Sequence, residues 1–218
     1  RENAIETSIE FLNYWPLKGI REIGAICTLR DQAGQLVHRE NLKLDEIKAY
    51  SLNCSEMLET AGISGDFKGS LEFEAFSGQN LGVPTPALIA NYQGPATQTM
   101  VHAYTRTYND YEEAQRLSEL FPGEEYGWPL FNDEENETFF VLQNGPVAVE
   151  PQTLTVDLYN SSGQHIRRSI EAGSMEPYAC RWYPAAGDEN IRKFLNGKTG
   201  WMRAEEHTSE LQSRSDLE

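Results

Sequence analysis

Apolar and polar residues alternate along much of the chain. Ala25, Cys27 and Leu29 take every second position, and so do Leu154, Val156 and Leu158. A period of two is that of a strand half buried on one face. Leu71, Phe73 and Ala75 alternate with Glu72 and Glu74. The run from Thr99 to Tyr108 sets Val101, Ala103 and Thr105 against His102, Tyr104, Arg106 and Tyr108. Ala87 to Gln93 reads as a short, mostly buried strand after a Pro84-Thr85-Pro86 turn. Many short strands between Gly and Pro turns predict a β-sandwich. One segment has the helical period instead. Asp110 is placed as an N-cap with Glu113 three residues on, Tyr111, Ala114, Leu117 and Phe121 recur at helical spacing, and Pro122-Gly123 stops the run. The stretch from Pro122 to Glu137 is acidic and turn-rich, and Trp128 within it reads as a seal at a domain junction.

The pattern occurs twice. Glu6, Thr7 and Asn13 recur as Glu137, Thr138 and Asn144, an offset of 131, and Pro16 and Pro146 follow. Leu29, Gly34, Gln35 and Arg39 recur as Leu158, Gly163, Gln164 and Arg168 at an offset of 129. Lys68-Gly69 and Lys198-Thr199-Gly200 return the glycine offset to 131. Asp31-Gln-Ala-Gly34 and Asn160-Ser-Ser-Gly163 each supply an Asx start and the glycine that a tight turn needs at positive φ. Each copy therefore predicts a hairpin.

An Asn and a Pro after a first strand, Asp or Asn three residues before Gly in a hairpin, and a glycine opening a later strand resemble bacterial immunoglobulin-like or fibronectin-type-III-like β-sandwich repeats. The residues are Asn13, Pro16, Asp31, Gly34 and Gly69-Ser70-Leu71, then Asn144, Pro146, Asn160, Gly163 and Gly200-Trp201-Met202. In the second copy the Pro stands closer to the Asn, and Trp replaces Ser after the Gly. The likeness covers most of Glu6 to Phe76 and Glu137 to Met202. It implies architecture, with no shared catalytic residues to transfer, and an extracytoplasmic or cell-surface setting. The expected fold is all-β, with two tandem β-sandwich domains. The first spans residues 1–109, a helical and acidic connector 110–136, and a second sandwich, incomplete, 137–204.

Composition narrows the chemistry. Thirty-four acidic against 18 basic residues give a net charge of −16 over 218 residues. Phosphate contacts need clustered Lys and Arg, so nucleic acid is not the expected partner. No run of about 18 apolar residues predicts a helical membrane span. Cys27, Cys54 and Cys180 lack disulfide-framework or zinc spacing, and Cys27 reads as a core residue. No nucleophile, metal or phosphate-loop motif stands out, so no cofactor is expected. Asn53, Asn136 and Asn160 fit the glycosylation spacing. The one candidate ligand face is His102, Tyr104, Arg106 and Tyr108, whose aromatics could stack on a sugar ring. Its plainer reading pairs His102 and Arg106 across a sheet with Glu72 and Glu74. Tyr14-Trp15 reads as a loop anchor.

The last residues differ in kind. Glu205 to Ser213, EEHTSELQS, is similar residue for residue to the translation of a sequencing-adapter stretch, GAA GAG CAC ACG TCT GAA CTC CAG TC. Residues 205–218 are therefore expected to be an adapter-derived tail, and the chain a fragment of a larger bacterial protein that opens on Arg1 as a fragment would. Without that tail the charge is −12. On this reading the second sandwich lacks the last strands of the first, and should expose an unpaired edge and apolar surface. The functional expectation is a non-catalytic structural or interaction module. The alternatives are a carbohydrate-binding module, or an accessory part of an enzyme with its catalytic residues elsewhere. Partners would be a glycan or another protein.

Overall fold

The computed structural model describes residues 5–79, 88–95, 98–103, 125–131, 138–184 and 189–205. Over these the protein is mostly β, in several antiparallel sheets, as the alternating pattern predicts. They fall into two compact units, residues 5–103 and 125–205. The expected helix from Asp110 and the tail beyond Glu205 lie outside the described residues.

The first unit holds β1 (Glu6–Leu12), β2 (Ile23–Asp31), β3 (Leu36–Leu44), β4 (Ala49–Asn53), α1 (Cys54–Thr60), β5 (Gly69–Ser77), β6 (Leu88–Gln93) and β7 (Gln98–Ala103). One sheet runs β4-β1-β6-β7 and another β3-β2-β5. Their apolar faces meet. Phe11 of β1 packs edge-on against Phe73 of β5, ring centroids 4.8 Å apart, in a core with Ala25, Cys27, Leu29, Leu44 and Leu52. The β2 stripe read from the sequence is thus buried. Trp15, in a short 3₁₀ turn, is fully buried and stacks on Tyr14, which makes it the anchor expected. β6 differs from expectation. Only Ala90 is buried in it, while Ile89 and Tyr92 are exposed.

The second unit holds β8 (Glu125–Leu130), β9 (Phe139–Gln143), β10 (Val149–Tyr159), β11 (His165–Met175), β12 (Cys180–Pro184), α2 (Glu189–Leu195) and β13 (Gly200–Glu205). One sheet runs β11-β10-β13-β8, and β12 and β9 form a two-stranded one. Leu154, Val156 and Leu158 are buried with Leu130, Met202 and the Ile191 and Leu195 of α2, and Leu142 of β9 packs against them. The connector read as turn-rich therefore contains a strand. β8 pairs with β13 along its length and carries Gly127 and Pro129, residues that hide a strand signal but are tolerated at a sheet edge.

The two units repeat one arrangement. β1, β2, β3, β4, α1 and β5 follow each other as β9, β10, β11, β12, α2 and β13 do. The pairings correspond as well: β1 with β4 and β9 with β12, β2 with β3 and β10 with β11, β2 with β5 and β10 with β13. The matched residues explain why. Asn13 is buried, its Nδ2 donating to the carbonyls of Leu44 and Glu46 at 3.0 Å each, and its backbone N–H to Lys48. Asn144 is buried, its Nδ2 donating to Met175 at 3.2 Å, Glu176 at 2.8 Å and Val147 at 2.7 Å, and its N–H to Ala179. Each Asn thus supplies donors to the carbonyls of a bend, the one after β3 in the first unit and the one after β11 in the second.

The hairpin turns match bond for bond. Asp31 Oδ1 accepts from the N–H of Ala33 and Gln35, and Asn160 Oδ1 from Ser162 and Gln164. Gly34 and Gly163 take φ of 83° and 75°. The structural register also corrects one match. A bulge between Leu29 and Arg30 places Arg39 opposite Thr28, and the equivalent residue opposite Asp157 is Arg167, not Arg168.

Candidate functional site

The expected ligand face is described at one residue. His102 lies exposed on β7, in register with Ile89, while Tyr104, Arg106 and Tyr108 lie outside the described residues. Pairing of His102 across a sheet with Glu72 and Glu74 is ruled out by topology. β5 and β7 belong to different sheets, and Glu72 makes an ion pair with Arg30 of β2 at 3.4 Å. The sheet face around His102 mixes the exposed Ile89 and Met100 with polar residues joined by hydrogen bonds. Ser51 and Ser8 donate to Glu10 Oε1 at 2.8 and 2.9 Å, Asn91 donates to Ser8 at 3.4 Å, and Gln98 to Asn91 at 3.0 Å.

A stronger aromatic and basic face lies on the second unit. Tyr159 of β10 stacks on His165 of β11, centroids 5.2 Å apart, and Trp201 of β13 is in register with Tyr159 on its other side. Trp201 is 50% exposed. The adjacent row is charged. Asp157 sits between Arg167 and Arg203 in register. Arg167 donates to both oxygens of Asp157 at 2.8 Å, and His165 Nε2 lies 3.1 Å from Oδ1. The Asp157 side chain is 3% exposed, and the Arg167 bond, outweighing burial, holds its carboxyl well below the usual carboxylate range. Reading along one strand missed this set. The hairpin brings its members together from β10, β11 and β13, and the visible signal was the alternation of Asp157 with Tyr159 and of His165 with Arg167 on either side of the Asn160 turn.

A second surface feature lies on β9 and β12. Phe139, Val141 and Trp182 are 47%, 43% and 36% exposed. Phe139 and Trp182 meet edge to face, centroids 6.4 Å apart. By the register of the repeat, Phe139, Val141, Trp182 and Pro184 stand where the first unit has Ser8, Glu10, Ser51 and Asn53. Four polar positions on one outer face are apolar on the other.

Other candidates resolve into structure. Cys27, Cys54 and Cys180 are buried and form no disulfide with one another. Burial, with the Glu40 carboxylate and Cys54 adding to it, pushes the Cys27 thiol up to about 12, so it is not a nucleophile at neutral pH. Asn53 uses its side chain to cap α1, accepting from the Ser55 N–H at 2.8 Å, and Asn160 holds its turn; Asn136 lies outside the described residues. Among the described residues no three His, Cys, Asp or Glu side chains are placed to hold a metal, and no helix is long and apolar enough to cross a membrane. A shallow depression of about 400 Å³ between the ends of β2 and β3 is bordered by Glu22, Lys43 and Asp45. It is too open and too mixed in charge to enclose a ligand. Comparison with known proteins found no matching family model, no matching curated protein and no matching solved structure.

Proposed function

We propose that the chain is a non-catalytic tandem β-sandwich interaction module. The observation that carries this reading is where the two copies agree and where they differ. The shared residues are structural: Asn13 and Asn144 bonded to a bend, Asp31 and Asn160 holding a turn, Gly34 and Gly163 at positive φ. At four positions the outer face of β9 and β12 carries Phe139, Val141, Trp182 and Pro184 where that of β1 and β4 carries Ser8, Glu10, Ser51 and Asn53, while the next pair runs the other way, Leu12 and Ala49 against Gln143 and Cys180. A maintained frame with a divergent apolar face supports binding to another macromolecule. The likeness to immunoglobulin-like and fibronectin-type-III-like repeats rests on those same frame residues and supports the architecture alone. The test transfers the first unit's residues to the second, as Phe139→Ser, Val141→Glu and Trp182→Ser together. Binding of an apolar surface dye should fall several-fold, with Tm kept within about 5 °C. A collapse of Tm, or unchanged dye binding, would assign these side chains to the core and end the reading.

A second reading, glycan binding, is favoured by the row His165, Tyr159 and Trp201 beside Arg167 and Asp157. Aromatic faces stack on pyranose rings while charged neighbours bond hydroxyls. A glycan array with the full chain and with Trp201→Ala tests it. Affinity should drop about tenfold or more in the variant. Background signal for every glycan, or binding indifferent to Trp201, rejects it.

A further inference from the structure

Asn-Gly occurs twice in the chain, as Asn144-Gly145 and Asn196-Gly197. Glycine lacks the Cβ that would shield its backbone nitrogen, so that nitrogen can close on the side-chain amide of a preceding asparagine. The two pairs sit in opposite surroundings. Asn144 is buried. Its Nδ2 donates to three carbonyls, and its Oδ1 accepts from the Gly145 N–H at 2.8 Å. The groups that such a reaction would use are all held in hydrogen bonds there.

Asn196 is exposed where α2 ends, and takes φ of 51° with Gly197 at 67°. Asn and Gly are the residues that accept this left-handed backbone after a helix. Among the described residues nothing bonds to the Asn196 side chain or to the Gly197 N–H. A Cβ on Gly197 would meet nothing within 4 Å, so the turn is open to water. The turn nevertheless holds α2 in place. The Asn196 N–H donates to the Arg192 carbonyl at 2.9 Å and the Lys198 N–H to Leu195 at 3.1 Å, while Ile191 and Leu195 are buried in the core. Gly200 then opens β13 directly against the Leu195 side chain.

We infer that Asn196 is a site of spontaneous deamidation, through which the second unit loosens with age. The Gly197 nitrogen gives up its proton and bonds to the side-chain carbonyl carbon of Asn196. The bond from that carbon to Nδ2 breaks, and the amide nitrogen leaves with the proton as ammonia. Water then opens the cyclic imide at either carbonyl. Opening at the side-chain carbonyl leaves aspartate. Opening at the backbone carbonyl leaves isoaspartate, with the chain running on through the side chain. Either product puts a carboxylate at the negative end of α2, where it is unfavourable. Isoaspartate also adds a methylene to the backbone between Leu195 and Gly200, whose close approach fixes α2 against β13.

The test is a time course of the full chain in warm neutral buffer, read by peptide mapping that resolves asparagine, aspartate and isoaspartate. Conversion at Asn196 should run about tenfold or more faster than at Asn144, which can react only after local opening. In the aged protein, amides of α2 and β13 should exchange several-fold faster than in fresh protein, with β1 to β5 unchanged. Asn196→Gly keeps a residue suited to positive φ and removes the reacting amide. Its exchange should stay constant through the same incubation. Equal conversion at the two asparagines, or an Asn196 that stays intact, overturns the assignment. Conversion that leaves α2 and β13 exchange unchanged, or the same loosening in Asn196→Gly, overturns the claim that the second unit ages through this turn.

Discussion

Asp157 and Thr28 occupy the same place in the two units, each opposite an arginine of the neighbouring strand, and the difference between them sets how each unit answers acid. Arg39 Nε donates to the Thr28 hydroxyl at 3.0 Å, and that bond does not titrate in the acid range. Asp157 accepts two bonds from Arg167 at 2.8 Å, and its carboxyl is held ionised well below its ordinary range. The unfolded chain takes up a proton near the unperturbed value of about 3.9. The native second unit resists that proton, so its stability is full above this value and falls as the pH drops towards the folded one. Arg167 is more than half exposed, which screens the pair and moderates its contribution. Asp157→Asn should cost about 1–3 kcal/mol at pH 7 and flatten the acid slope of this unit. Urea unfolding at pH 7 and pH 3 reads both effects. An acid slope equal to that of the unsubstituted protein would contradict the assignment.

Each central strand depends on a glycine at the start of its partner. A Cβ on Gly69 would collide with the Arg30 carbonyl, and one on Gly200 with the Tyr159 carbonyl and the Leu195 side chain. In each case one collision is with a backbone carbonyl, which cannot give way cheaply. Gly69→Ala and Gly200→Ala should each destabilise their own unit by about 1–3 kcal/mol, seen as a lowered urea midpoint; a neutral result for both would remove the close approach from the account. The strands around these glycines were legible in the sequence because Ala25, Cys27, Leu29 and Leu154, Val156, Leu158 alternate cleanly. The turns were legible because Asx and Gly have few other reasons to recur at that spacing. The two short helices were not. α1 is a seven-residue helix, too short to show a period, although Asn53 with Glu56 three residues on was a cap signal overlooked for a glycosylation spacing. β8 was hidden by Gly127 and Pro129. The Asp157 cluster was hidden because cross-strand neighbours are set by register, which reading along a single strand does not give; the bulge after Leu29, in the first unit, displaced only the match of Arg39.

At the scale of the whole chain, two copies of one frame carry different surfaces. The first has hydrogen-bonded polar residues around Glu10, and the second an exposed apolar cluster around Val141. The central claim is that one frame is built twice, each time held by its own buried asparagine. The most direct measurement is residue-resolved hydrogen exchange on Asn13→Ala and Asn144→Ala. Loss of donors to buried carbonyls should weaken the affected unit by about 1–3 kcal/mol. The account predicts faster exchange in β1 to β4 for the first variant with β9 to β12 unchanged, and the mirror image for the second. Loosening of both units by either substitution, or of neither, would contradict it.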